Sequence, residues 1–206
     1  MIYSEFLDIR KNTFEKSYEL ILKNMKENIT YNIVELGSSR SYVNGGHEGC
    51  CSARIQFWRP NEPHIWDWGA GIFTRVFAEN LKDKNYKLYT IDPNEYANII
   101  TTNMCADYNN VIVLNTYSSD FIDKFNEKID FLYMDHMETS EEAAILHLKD
   151  IETIINKNLM SDNGIILIDD VGHDTINGKG KYSIPFLLKN NYKMIIHEYQ
   201  VLLMKA

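Results

Sequence analysis

From residue 86 onward the chain alternates between short β-rich runs and stretches of helical period. "YKLYTID" (86–92) reads as a strand, 95–104 as a short helix, "NVIVLN" (110–115) as a strand and 118–127 as a helix. "IDFLYMD" (129–135), a long helix at 140–158, "NGIILIDD" (163–170) and a helix at 181–190 continue the pattern. Two adjacent strands, "YKMIIHEYQ" and "VLLMKA", close it. Upstream, "YNIVEL" (31–36) is a buried strand ending at Gly37, and 72–83 is a helix with an apolar stripe at Ile72, Val76 and Leu81. Strands spaced by helices can bury their apolar faces only as an α/β layer structure, a doubly wound, mostly parallel sheet with helices on both faces. The closing pair of neighbouring strands requires an antiparallel C-terminal edge. A length of 206 residues suits one such domain, 1–206.

Two segments stand outside the alternation. Residues 3–28 carry Phe6, Ile9, Phe14, Tyr18, Leu22 and Met25 at near-helical spacing, so 1–30 is expected to be a helical cover over a sheet face or a homodimer contact. Residues 38–69 are rich in glycine and read as loop. The net charge of −8 argues against a chain whose main task is gripping nucleic acid or an anionic membrane. No run reaches the ~18 apolar residues of a membrane span, and the charged N-terminus lacks the apolar block of a signal peptide. The cysteines Cys50, Cys51 and Cys105 have no C-x-x-C spacing, which suits a reduced, cytoplasmic setting. Cys50 and Cys51 with His47 could hold a metal, or be small side chains of a loop.

Ligands of open α/β sheets sit at the carboxyl ends of the strands. Gly37 ends the first strand, where a missing side chain lets backbone approach a ligand. Asp92 ends the second, and a carboxylate there offers two acceptor oxygens to the two hydroxyls of a ribose. "GSSRS" (37–41) lacks the G-x-G-x-x-G spacing of dinucleotide binders, and Glu35 and Asp92 add negative charge. An adenosine carrying a zwitterionic tail fits this turn better than a diphosphate. Asp135, Asp169 and Asp170 end the fourth and fifth strands. Three such carboxylates repel unless a cation lies among them, and oxygen-only ligands suit Mg²⁺, Mn²⁺ or Ca²⁺. Aspartate after a strand is also a common turn former.

The order "VELG", "IDP", "IDFLYMDH" and "NGIILIDDV" resembles the class I S-adenosylmethionine-dependent methyltransferases over about residues 31–206. More narrowly, it is similar to the metal-dependent O-methyltransferases of the catechol, macrolide-sugar and cephalosporin-tailoring type. The resemblance implies a Rossmann-like fold and S-adenosylmethionine as cofactor. It implies Glu35, Gly37, Ser38 and Ser39 around the methionine part, Asp92 on the ribose, Tyr117 and Ser118 lining the adenine, and Asp135 at the junction. Asp135, Asp169 and Asp170 match the metal positions, so the implied reaction is divalent-metal-assisted O-methylation of a small hydroxylated substrate such as a sugar or natural product.

The sequence departs from that pattern twice. The catechol-type enzymes carry a lysine base three residues after the first metal aspartate, and here that residue is Glu138. His136 and His173 flank the expected metal site and titrate in the right range, with His173 favoured as base. The second departure is that residues 42–69 cut open the first turn. Gly37 is read as the cofactor turn, with "WDWGAG" (66–71) as the chain's return. The opposite reading makes "HIWDWGAG" (64–71) the first strand and turn. The inserted Tyr42, Arg54, Trp58, Arg59, Trp66 and Trp68, with Arg40 before them, suit a lid over a polar, ring-shaped substrate, or a structural flap. A metal-independent methyltransferase acting on nitrogen or carbon and a non-catalytic relative of the fold remain as alternatives.

Overall fold

The computed structural model describes residues 1–70, 72–173 and 175–206. A seven-stranded sheet runs through the centre in the order β3-β2-β1-β4-β5-β7-β6. Its strands are β1 (Tyr31–Leu36), β2 (Tyr86–Asp92), β3 (Val111–Asn115), β4 (Ile129–Met134), β5 (Met160–Ile168), β6 (Tyr192–His197) and β7 (Val201–Lys205). β1 pairs parallel to both β2 and β4, β2 to β3, and β4 to β5. β7 is antiparallel to β5 and to β6. The antiparallel strand is therefore the one next to the edge. A tight β6–β7 turn folds the last strand back between β5 and β6, so the edge strand β6 points the same way as the parallel ones.

Period-two alternation divides the strand side chains between two faces. Ile33, Phe131, Tyr133, Ile165 and Leu167 face a core that includes Phe14, Leu20 and Ile21 of α1 (Lys11–Asn24) and Phe73, Val76, Phe77 and Leu81 of α2 (Phe73–Leu81). Ile100 and Met104 of α3 (Glu95–Met104) join it. Val34, Leu36, Leu132, Met134, Ile166 and Ile168 face the other core, under α4 (Ser118–Lys124), α5 (Glu141–Asn156) and α6 (Ser183–Lys189). The doubly wound, Rossmann-like arrangement expected from the alternation is what forms. Every residue of β1 is buried, as a central strand covered on both faces must be.

The N-terminal helix is shorter than its apolar stripe predicts. Two 3₁₀ turns, Ser4–Phe6 and Asp8–Arg10, precede α1, and Tyr3 and Asp8 adopt positive φ, which an α-helix does not admit. The interrupted leading segment bonds Ile2 to Asn80 near the end of α2, packs Tyr3 on Trp66 and brings Arg10 to Asp169. The excursion at 42–69 also packs inward. Val43 and Trp66 form an antiparallel bridge across its base. Tyr42 and Trp66 are fully buried, and Trp66 meets Tyr3, Trp58 and Trp68 at ring distances of 5.0, 5.0 and 5.6 Å. The Trp66 and Trp68 indole N–H groups donate to the carbonyls of Arg59 and Pro63, both at 2.8 Å. The aromatic residues that suited either a substrate lid or a structural flap thus join the core on the α1–α2 face, with Tyr42 and Trp66 inside it and Trp58 and Trp68 packed against it. Among the described residues no helix is long and apolar enough to cross a membrane.

Candidate functional site

The backbone ladder continues one residue past the strands and fixes the site. The amide of Gly37 donates to Ile91 O at 2.8 Å, that of Asp135 to Leu36 O at 2.9 Å, and that of Asp169 to Met134 O at 3.1 Å. Four consecutive strand tips of the sheet are tied side by side, bringing Asp92, Gly37, Asp135 and Asp169 into one row. Above the row lies a cavity of about 430 Å³, lined among others by Gly37, Ser38, Asp92, Tyr117, Ser118 and Asp135. This is the volume class of a small-molecule site.

Gly37 is required by geometry. Its φ is +98°, and a Cβ on it would stand 2.9 Å from the Asp135 carbonyl carbon and oxygen and from the His136 nitrogen. Asp92 is oriented by backbone amides: one oxygen accepts from Ser38 N at 3.1 Å and the other from Asn94 N at 2.8 Å. Each carboxylate oxygen retains a lone pair for a ligand hydroxyl. Tyr117 is exposed at the cavity mouth, whereas Ser118 is buried beside it at the start of α4. An Arg40–Glu138 ion pair joins two further wall residues across the opening. The position where the resembled enzymes carry a lysine base thus holds an acid that binds an arginine of the excursion's root. Ala70, at the other root, also lines the cavity. Both ends of the interrupted turn therefore reach the site, and Gly37 supplies the close approach at the end of β1.

Glu35 and Ser39 are placed differently from Gly37 and Ser38. Neither is among the cavity's described lining residues. Glu35 points from β1 to the α1–α2 face, where the Thr74 hydroxyl donates to it. Full burial pushes its pKa up to about 8. Strand parity is the reason, since the residue two before Gly37 faces a core and cannot reach over the strand tip. Ser39 is fully buried, and its amide donates to Thr101 Oγ1 at 3.2 Å.

The histidines divide. His136 is buried in the cavity wall, stacked on His147 at 4.2 Å, with its Nε2 3.0 Å from Asp150 Oδ2 in an approach without hydrogen-bond alignment. His147, whose Nε2 lies 3.1 Å from His136 O, has its pKa pushed well down by burial and then by His136. His173 is exposed, with its ring 6.0 Å from that of Tyr199, and is not among the described lining residues. Gly172, just before it, adopts a positive φ of 94°.

Asp135, Asp169 and Asp170 do come together, and their partners decide whether they suit a divalent ion. Asp135 Oδ1 is 2.8 Å from Lys179 Nζ, and its Oδ2 lies 3.3 Å from Tyr133 OH, whose one proton goes to the closer Asp169. Asp169 Oδ2 accepts from Arg10 Nε at 2.9 Å and Tyr133 OH at 2.7 Å, and its Oδ1 from the Asp170 amide at 2.8 Å. Asp170 Oδ2 is 2.8 Å from Lys179 Nζ, and the Tyr199 hydroxyl donates to Oδ1. Five of the six carboxylate oxygens have a donor among the described residues, and Asp135 Oδ2 is left free once the single Tyr133 proton goes to Asp169. Among the described residues no group of three or more His, Cys, Asp and Glu side chains could hold a metal ion. With two protein cations among them and five of six oxygens engaged, the carboxylates as folded do not fit Mg²⁺, Mn²⁺ or Ca²⁺. The cation that three carboxylates demand is present as Lys179 and Arg10.

These charges set the local acidities. Burial, then the charge of Asp169, pushes the Asp135 carboxyl up to about 7 against the pull of Lys179. Burial works the same way on Asp170, yet hydrogen bonds from Lys179 and Tyr199 hold its pKa below the usual range. Lys179, only 2% exposed, stays cationic because the carboxylates outweigh its own burial. Sequence reasoning missed both Lys179 and Arg10. The one available signal was the unusual "GKG" at 178–180, which packs a lysine between two glycines.

A profile described as "Methyltransferase domain" matches residues 68–171, half of the chain. The match opens at the return of the excursion, so β1 lies before it. Among solved structures, the chain is similar to an N-methyltransferase, NodS from Bradyrhizobium japonicum WM9 in complex with S-adenosyl-L-homocysteine, at 11% identity and TM-score 0.52, covering 95% of this chain and 87% of that one. It is similar to a putative rRNA methylase from Clostridium thermocellum, at 13% identity and TM-score 0.51, covering 93% and 95%. It also resembles Aeropyrum pernix fibrillarin with natively bound S-adenosyl-L-methionine, at 12% identity and TM-score 0.50, covering 91% and 74%. At these identities the likeness is one of fold. No curated protein matches by sequence.

Proposed function

The chain belongs to the methyltransferase domain family, with the class I S-adenosylmethionine-dependent fold, and from that premise we propose that it methylates a hydroxyl of a small molecule without a bound metal. One observation carries the reading. Asp92, Gly37 and Asp135 line a single cavity of about 430 Å³ at adjoining strand tips. The residues fit S-adenosylmethionine. Asp92, held by two amides, is ready to accept ribose hydroxyls. Tyr117 and Ser118 flank the adenosine end, and the bare backbone of Gly37 admits the amino-acid end beside Asp135. When bound, the cofactor supplies a methyl on a sulfonium, which leaves as a neutral thioether.

The chain's own residues then have three tasks. Asp135 places negative charge beside the cationic donor and takes the acceptor's proton, which it can do near neutral pH. Lys179 holds that carboxylate in place. Arg40 and Glu138 restrict the mouth, which favours an acceptor of modest size. The net charge of −8 disfavours a nucleic-acid acceptor, and reduced cysteines suit a cytoplasmic enzyme.

Calorimetry with S-adenosylhomocysteine tests the reading. The wild type is expected to bind one equivalent, and Asp92→Asn to bind about 10–100-fold more weakly, as for loss of a charged hydrogen bond. No heat from the wild type, or equal affinity in the variant, would remove the proposal.

A further inference from the structure

Lys179 is placed by backbone, not by chance contact of a long side chain. Its amide donates to Asp170 O at 3.2 Å, pinning the turn that follows β5 onto the strand's own tip. The preceding Gly178 has φ +51°, and a Cβ there would overlap the Asp170 carbonyl oxygen. The turn therefore sits closer to β5 than any side-chain-bearing residue allows, and it delivers Lys179 into the interior. Its ammonium has three N–H directions, and three oxygens receive them: Asp135 Oδ1 at 2.8 Å, Asp170 Oδ2 at 2.8 Å and Asp135 O at 3.3 Å. Two carboxylate oxygens and a carbonyl converging on one cationic point form the kind of oxygen set that hard divalent ions use.

We propose that Lys179 is the built-in cation of this cluster, occupying the point where a divalent ion would otherwise bind, and that removing its ammonium opens a divalent-ion site on Asp135 and Asp170. Lys179 is thereby a positioning residue for Asp135. The inference deepens the reading of Asp135 given above. It is tested on the chain without any nucleoside, so its failure is distinct from a failure to bind S-adenosylhomocysteine.

The probe is Mn²⁺ alone, followed by electron paramagnetic resonance of the full chain. The wild type and Lys179→Arg, which keeps the charge, are expected to leave the spectrum of free Mn²⁺ unchanged. Lys179→Ala is expected to take up one equivalent, and Lys179→Ala with Asp170→Asn to lose that uptake. Saturable binding by the wild type that disappears in Asp170→Asn would overturn the proposal, as would a folded Lys179→Ala that ignores Mn²⁺. If Lys179→Ala does not fold alone, it is refolded with and without the ion. A cooperative melt restored by Mn²⁺ supports the proposal, and no restoration overturns it.

Discussion

Gly37 lies against the Asp135 peptide so closely that a single added methyl group would stand 2.9 Å from its carbonyl carbon. This contact joins the tips of β1 and β4 and leaves the backbone bare where the cavity begins. Gly37→Ala must meet both the clash and a φ of +98° that L-residues rarely adopt. A loss of roughly 1–3 kcal/mol of stability is expected, the range for such backbone outliers. S-adenosylhomocysteine affinity should fall with it, since the wall moves. Urea unfolding and calorimetry on the same sample check this, and a variant equal to wild type in both would show that the close approach is not needed.

Glu35 gives the fold a pH dependence that an ordinary surface carboxylate would not. Its pKa rises from 4.5 to about 8 because it is fully buried. Below about pH 4.5 it is protonated in both the folded and unfolded states. Between there and about pH 8 the unfolded chain releases the proton while the folded chain keeps it, so stability falls as pH rises. The slope from this one group is about 1.36 kcal/mol per pH unit, and it flattens above its folded pKa. Glu35→Gln keeps an acceptor for Thr74 and removes the titration. Melting temperatures from about pH 5 to about 8 should fall more steeply for wild type than for the variant. Parallel curves would show that Glu35 does not carry the effect.

Trp66 decides whether the 42–69 excursion is part of the core. It is fully buried and packs on rings from the N-terminal segment and from the excursion itself. Trp66→Ala is expected to cost about 3–5 kcal/mol, the usual range for truncating a buried large aromatic. Trp66→Phe should cost less. The affinity of the folded fraction for S-adenosylhomocysteine should be nearly unchanged, because Trp66 is not among the cavity's described walls. An unaltered denaturation midpoint in Trp66→Ala would point instead to a mobile cover.

The strand tips were legible in advance because they depend on local pattern. Once "YNIVEL", "YKLYTID" and "IDFLYMD" are strands of one parallel sheet, Gly37, Asp92 and Asp135 must fall on the same edge, and they do. The same pattern accounts for Glu35: alternation sends it to a face, under α2. The exposed position of His173 was not legible, because a loop's course depends on single backbone angles such as the positive φ of Gly172. The tryptophans looked like a cover because exposure cannot be read from composition, and large rings serve equally in cores and clefts.

The sequence alone determined the layered α/β architecture and the row of acidic strand tips, because hydrophobic period and turn residues act over a few neighbouring positions. Only the tertiary structure decided what neutralises those acids. Arg10 reaches Asp169 across 159 residues of chain and Lys179 reaches Asp135 across 44. No local period links such partners. They meet because burying three carboxylates demands cations, and the folded chain supplied its own.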